Sequence, residues 1–566
     1  MIANRLFAAT RQALPRVPPA SARFRLAPAQ HLRFFADAID FHYEEDDHEW
    51  KESFTKATVG VAEMDPKTID HDTSAQRMRD LVRSGLLRHT DLRDNPERFF
   101  QGTFSQFNGT WNHFSNIRQQ KIHRHGCLPT RHTNPVFPII APKAHRIIAA
   151  HTSAVGPGFW VRFTVHQNLC CGTILGLGNE AQVQVLDEMQ EKGELGCFAL
   201  TEKRAGVSSG LVVSTIAEYN RETNTFLLNS PGVGAQKNWI SQGLVADKTV
   251  VVADLRIDGQ SYGPHAFLMN LREGGELVQG VETFDMGIKT VGNDLDNAAI
   301  AFNNVILPKD ALLSKFADID ESSGEYVQKV KGLPVFHMIG QRLFTGRVAV
   351  AQAAMEFRRG LFAKTKKFTD QKKCWSPNGD VTLSDIPHIK ALYEAADQEA
   401  NTLDAFLAEC EKHLCDCLRN NKLPSLELVE AIACAKVKCV ECSIKSCHQL
   451  QQDVGSYALM GGTGFENIDF LTCCKFAEGD SRILQQKMSR DRMKRYMAKE
   501  DCPANFAAED WEAENQACAN LQSSMLEVMN HAKVDKHAAW DHCWVDVYDL
   551  SEIIMARTMK TFMSSS

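Results

Sequence analysis

The sequence predicts an α+β fold: an N-terminal helical domain, a small central β domain and a C-terminal helical bundle, in that order. Three observations carry this. Apolar residues recur at helical spacing up to about residue 195, give way to strand-like runs from Gly196 to about Leu313, and return to helical spacing from about Pro334. The strands form one block and do not alternate with helices, which argues against a doubly wound sheet. And 566 residues are too many for one hydrophobic core, so two to four domains are expected.

The first 36 residues are set apart by composition. "MIANRLFAATRQALPRVPPASARFRLAPAQHLRFFADA" carries Arg5, Arg11, Arg16, Arg23, Arg25 and Arg33 and no acid before Asp37. An Arg- and Ala-rich, acid-free leader reads as an organellar transit peptide over residues 1–36, with the mitochondrial matrix as the expected address. The C-terminal "FMSSS" is not a Ser-Lys-Leu type signal, so the peroxisome is the less favoured address.

The remaining elements follow in order. Residues 37–195 read as helical, on runs such as "SAQRMRDLVRSGLL" and "NEAQVQVLDEMQEKGEL", with a Pro/His-rich loop between them. Residues 196–315 read as the β domain. Here "GLVVSTIAEYN" and "TNTFLLNS" suggest a hairpin, and "KTVVVADLRIDGQSYGPHAFLMNLR" has strand-like runs on either side of Asp258–Gly259. "NAAIAFNNVILP" repeats the hairpin theme around Asn303–Asn304. Residues 330–498 hold three long amphipathic runs, enough for an antiparallel bundle, and residues 504–566 a helical extension.

Composition excludes several classes of function. A hydrophobic content of 44% with 23% charged residues describes a globular protein, and a net charge of −7 gives no reason to expect nucleic acid. The longest apolar run, Phe163–Gly178, is broken by His166, Gln167 and Asn168, so no integral membrane segment is expected. The 17 cysteines read as reduced thiols. Cys434, Cys439 and Cys442 have iron–sulfur spacing, but they lie among helix formers with no glycine to wrap a cluster; no metal site is expected there. "GVSSG" at Gly206–Gly210 matches a nucleophile elbow, yet a charged segment precedes it and a strand follows, so a serine hydrolase is the weakest reading. Neither a strand-linked G-x-G-x-x-G nor a P-loop is present.

In a longer frame, "GCFALTEKRAGVSSGLVVSTIAEYNRETNTFLLNSPGVGAQKNWIS" resembles the central segment of the acyl-CoA oxidase and acyl-CoA dehydrogenase superfamily. "YGPHAFLMNLR" and "MGIKTVGNDLDNAAIAFNNVILPKDALL" resemble acyl-CoA oxidases in particular, and "TGRVAVAQAAM" resembles the start of the family's bundle. The resemblance runs from about Val161 to Arg358. It implies the same succession of domains, FAD as cofactor, an acyl-CoA substrate and a homodimer or homotetramer. It also implies roles for residues. Thr201 would face the flavin ring, Trp239 and Ser241 of "KNWIS" would wall it, and Gly461, Gly462 and Gly464 of "MGGTGF" would let a neighbouring subunit's FAD approach. "FAEGD" resembles the motif that carries the base, which makes Glu478 the group that removes the α-proton. Read without the resemblance, Glu478 is better taken as a helix-start carboxylate favoured by the dipole.

Where the family has an Arg-x-x-Phe-Gly stretch this chain has Lys364, Lys366 and Lys367, and Pro387 stands about where a glutamine is expected. The stretch from "GGTGF" to Glu478 is also shorter. The expected function is therefore FAD-dependent oxidation of an acyl-CoA to trans-2-enoyl-CoA, with electrons passing to O2 or to electron-transfer flavoprotein. The alternative is a catalytically weakened relative serving as a structural or assembly subunit of a mitochondrial complex.

Overall fold

The computed structural model describes residues 70–84, 144–150, 152, 156–206, 209, 212–329, 335–377, 379–420 and 422–564. The basic leader and Ser208 of the "GVSSG" turn lie outside them. The described residues fall within one compact unit.

Helices come first: α1 (His71–Ser84), α2 (Ala144–Ala150), α3 (Pro157–Thr164), α4 (Gly172–Leu177) and α5 (Glu180–Lys192). The polar triplet that breaks the apolar run lies in a buried π-helical segment, Val165–Cys171, which joins α3 to α4. Asn179 and Gln182 form a reciprocal capping box that starts α5, and Gly193, in the left-handed conformation, ends it.

The β region follows: β1 (Gly196–Ala199), β2 (Ile216–Asn220), β3 (Thr225–Asn229), β4 (Lys237–Ser241), β5 (Lys248–Ile257), β6 (Gln260–Asn270), β7 (Val281–Asp285), β8 (Asn297–Phe302) and β9 (Val305–Pro308). The long, almost wholly buried strand β5 organises the larger, six-stranded sheet. β6 lies antiparallel on one edge of β5, while β1 and β2 lie parallel along successive halves of the other. The sheet continues through β3 to β9. β4, β8 and β7 form a second sheet of three strands. Side chains of both sheets meet in one core that includes Phe226, Phe267, Ile240 and Ile300.

Two predicted hairpins form, β2–β3 and β5–β6. Asp258 and Gly259 both have positive φ, 52° and 77°, the signature of a type I′ turn. The third does not form. β8 pairs with β4 and β7, β9 pairs with β3, and Asn303–Asn304 carries the chain from one sheet to the other. The reason is visible in the side chains: Asn304 exchanges hydrogen bonds with Asn229 at the end of β3, which aligns β9 on that strand.

The bundle is built from α6 (Val335–Thr369), α7 (Pro387–Arg419) and α8 (Leu426–Asp453), followed by the short α9 (Phe470–Phe476), α10 (Ser481–Met497), α11 (Ala508–Ala532), α12 (Lys536–His542) and α13 (Trp544–Ser564). Pro387 is the first residue of α7, where a missing N–H costs nothing. Cys434, Cys439, Cys442 and Cys447 all lie on α8 as free thiols, and burial raises their pKa values. The C-terminal helices are tied to the bundle by buried charges: Glu514 of α11 takes hydrogen bonds from Arg492 of α10 and Arg557 of α13, and Arg557 also reaches Glu430 of α8. No helix among the described residues is long and apolar enough to cross a membrane.

Candidate functional site

Glu478 lies between two helices, in the turn from α9 to α10. It does not begin a helix; that place belongs to Asp480, whose carboxylate caps α10 by accepting from the Arg482 amide. The helix-start reading of Glu478 therefore falls away. Glu478 has φ 58° and Gly479 φ 97°, so the chain runs left-handed through two successive residues. For glutamate this is an uncommon conformation that surrounding structure must hold.

The carboxyl of Glu478 turns inward onto Gly346 of α6. As a whole the residue is only partly buried, but its Oε2 is shielded from solvent and has no hydrogen-bond partner. Burial pushes the carboxyl up to about 8 from an ordinary 4.5, and the nearby cations of Arg347 and Lys436 only partly oppose this. Arg347 donates from Nε to the Glu478 carbonyl at 3.1 Å. Burial lowers the guanidinium to about 10, still well above neutrality.

A second group sits on the strands. Thr201 and Trp239 are exposed and adjacent: the Asn238 amide donates to the Thr201 carbonyl at 2.8 Å. Glu202, next to Thr201, and Lys237, two residues before Trp239, lie inside. Glu202 and Lys237, both fully buried, form an ion pair at 2.9 Å that joins the two segments from beneath. Burial pushes Glu202 up, but Lys237 and the Thr215 and Ser214 amides outweigh it and the carboxyl lies below its ordinary value. Burial lowers Lys237 to about 8, against the pull of Glu202. The pairing favours the charged form of both partners, and with its three further donors, Ser214 N, Thr215 N and Thr215 Oγ1, the carboxylate stays charged. Trp239 has φ 57° and is 56% exposed, with exposed Phe284 and Val233 in the same β region. Ser241 accepts from Asn297 Nδ2 at 3.2 Å and so fixes β4 to β8.

Gly461, Gly462 and Gly464 form a turn between α8 and α9. Gly462 and Gly464 have φ 78° and 99°, and a β-carbon on Gly462 would meet open space. The amides of Gly462 and Gly464 donate to the carboxylate of Glu466 at 3.0 and 2.8 Å. An FAD could approach this turn for want of a side chain, but these two amides are already engaged. The exposed strand surface at Thr201 and Trp239 fits a flat ring; the glycine turn fits only as open space.

The structure thus brings Thr201, Trp239 and Ser241 together and places Glu478 on the bundle. Among the described residues no hydrogen bond or ion pair joins Glu478 to the strand group. Sequence reasoning missed Gly346, Arg347, Lys436 and Glu466. Two of these leave a signal: a glycine inside a helical run, and a lysine inside the apolar run "AIACAKVKC".

No family model matches the chain. It is 30% identical over 245 residues to an acyl-coenzyme A oxidase of Kluyveromyces lactis, covering 41% of this chain and 32% of the relative. It is 26% identical over 348 residues to the human peroxisomal acyl-coenzyme A oxidase 3, covering 58% and 49%. The chain therefore spans about a third to a half of the length of these relatives. A crystal structure of acyl-CoA oxidase-2 from Caenorhabditis elegans, bound with FAD, ascaroside-CoA and ATP, superposes with a TM-score of 0.59 at 17% identity, covering 74% of this chain and 67% of that one. These matches correct the expected address. A basic, acid-free leader is a compositional signal that several compartments share; the human relative is peroxisomal by name, and homology points to the peroxisome and away from the mitochondrial matrix.

Proposed function

We propose that this chain, which has homologues among the acyl-CoA oxidases and carries the acyl-CoA oxidase/dehydrogenase fold, oxidises an acyl-CoA thioester to the trans-2-enoyl-CoA. One observation carries the reading: the shielded, unpartnered carboxyl oxygen of Glu478, on a group raised to about 8. An α-proton beside a thioester is weakly acidic, and a desolvated carboxylate is a stronger base than a solvated one. Glu478 takes that proton. The electrons of the broken Cα–H bond form the Cα=Cβ double bond as hydride leaves Cβ. FAD, when bound, supplies the hydride acceptor. Thr201 and Trp239 would face its ring, and Ser241 would hold the strand that carries Trp239.

The names of the relatives favour O2 as the final acceptor, with electron-transfer flavoprotein as the alternative. Glu478→Gln keeps the size of the side chain and removes the base. It should retain flavin and fail to bleach it with acyl-CoA, by about 10²–10⁴-fold or more. Bleaching at the parent rate would end the assignment of Glu478.

A structural role without turnover is the second reading. It is favoured by the glycine turn, whose Gly462 and Gly464 amides Glu466 already occupies. A purified protein that stays colourless when mixed with FAD would support it.

A further inference from the structure

We propose that Lys436 is a positioning residue for Glu478, a role that rests on the reading of Glu478 as the base. Lys436 lies on α8, is fully buried, and points its ammonium at the turn between α9 and α10. Nζ donates to the Lys475 carbonyl at 2.5 Å, to the Gly479 carbonyl at 2.9 Å and to Ser481 Oγ at 3.2 Å. These acceptors bracket Glu478. Lys475 lies in the last turn of α9, where carbonyls lack helical partners and a cation is favoured. Gly479 is the second left-handed residue, and Ser481 is the first residue of α10.

Arg347 binds a further carbonyl of this turn, that of Glu478 itself. The carbonyls at 475, 478 and 479 are thus gathered by two buried basic side chains from two long helices, Lys436 drawn down by burial to about 7 and Arg347 to about 10. Taking a lysine out of water is costly unless its hydrogen bonds are replaced, and here all three N–H groups find acceptors. A side chain whose only task was to fill space would not need a charge at this place. The chain reverses through two left-handed residues because its carbonyls are held, and that reversal turns the carboxyl of Glu478 onto Gly346. Lys436 touches neither the reacting atoms nor, by any hydrogen bond, the carboxyl of Glu478. It acts through the backbone.

The charged and titratable groups facing Lys436 are Asp480, Glu478 and Cys474 from the turn and α9, Arg347 from α6, and Glu441 from its own helix. Glu441 is itself paired with Lys475. Among the described residues none of them donates a hydrogen bond to the three acceptors, so removal of Lys436 leaves Arg347 as the one side chain of this group that donates to a carbonyl of the turn.

The test uses full-length protein and two readouts. Hydrogen–deuterium exchange in Lys436→Met should quicken by about tenfold or more at the amides of residues 477–481, the change that losing one charged hydrogen bond implies. The rest of α8 should exchange as in the parent. Unchanged exchange in this turn overturns the proposal, whatever the chemistry of the protein. In flavin reduction by acyl-CoA, Lys436→Met should lower kcat with little change in KM. Should Lys436→Met fail to fold, Ser481→Ala removes a single acceptor and should quicken exchange in the same turn to a smaller degree; no change there overturns the proposal. If the parent does not bleach flavin at all, the acyl-CoA reading fails, and exchange still decides the role of Lys436.

Discussion

The carboxyl group of Glu478 fills the space that a side chain on Gly346 would take: a β-carbon built there would overlap the Cδ and both oxygens of Glu478. This explains why a glycine stands in the interior of α6, where it costs about 1 kcal/mol relative to alanine. The helix gives up propensity at one position, and the carboxyl gains a place against the backbone.

Gly346→Ala therefore separates stability from function. The clashing atoms are the far end of a glutamate side chain, which can swing away, and alanine favours the helix. The variant should unfold at or slightly above the parent midpoint in a thermal melt. Flavin reduction by acyl-CoA should fall by about 10²-fold or more, the cost of misplacing a reacting group by around an ångström. A variant that is less stable yet equally active would mean that the carboxyl lies elsewhere in the working protein.

The raised carboxyl of Glu478 gives two pH dependences of opposite sense. A base must be deprotonated, so flavin reduction should rise with pH and reach its half-point near 8. Stability runs the other way. The folded protein binds this proton more tightly than the unfolded chain, so the contribution is complete below the ordinary value of 4.5 and is lost as pH rises through about 8. Comparing parent with Glu478→Gln isolates this effect: the difference in unfolding free energy should shift against the parent across that window and be flat above it. A difference independent of pH would show that the carboxyl is solvated.

How much of this was legible in the sequence depended on how local the signal was. The turn at Asp258–Gly259 was readable because its two left-handed residues need no help from elsewhere. Asn303–Asn304 carries the same kind of signal, but the flanking strands find partners in different sheets, and the Asn229 contact that decides it lies 75 residues away. Glu478 was legible by resemblance to a motif. Its environment was not: Arg347, 131 residues earlier, and Lys436, 43 residues before the Gly479 it holds, meet the turn only in the folded bundle. The arrangement that leaves Thr201 and Trp239 exposed beside a buried ion pair is likewise tertiary.

That ion pair yields a stability prediction. Lys237→Met removes the partner of a fully buried carboxylate, which typically costs about 3–5 kcal/mol. The three donors from Ser214 and Thr215 keep Glu202 partly satisfied, so the lower end of that range is expected. Adding Glu202→Gln should recover a good part of the loss, because no uncompensated charge is then buried. Urea unfolding of the parent, the two single variants and the double variant measures this. If the two losses simply add, the pair is not coupled and does not join the segments carrying Thr201 and Trp239.

Trp239→Ala makes the complementary case, in which stability should hold and the cofactor should not. More than half of the Trp239 side chain is exposed, and its backbone contact, an amide donating to Met286 Sδ, does not involve the indole. Truncating the ring should change the unfolding free energy by no more than about 0.5 kcal/mol, as for other surface positions. An exposed tryptophan in a left-handed backbone conformation is a poor choice for a strand that only has to pair, and a partner for the ring would account for it. If that partner is the flavin, the variant should release FAD more readily, seen as a rise in free-flavin fluorescence on dilution, and its bound flavin band should shift. Thr201→Ala should shift the band as well, with a smaller loss of affinity, because it removes one hydroxyl and no stacking surface. A Trp239→Ala protein that holds FAD as the parent does, with the same spectrum, would place the ring somewhere other than the edge formed by Thr201 and β4.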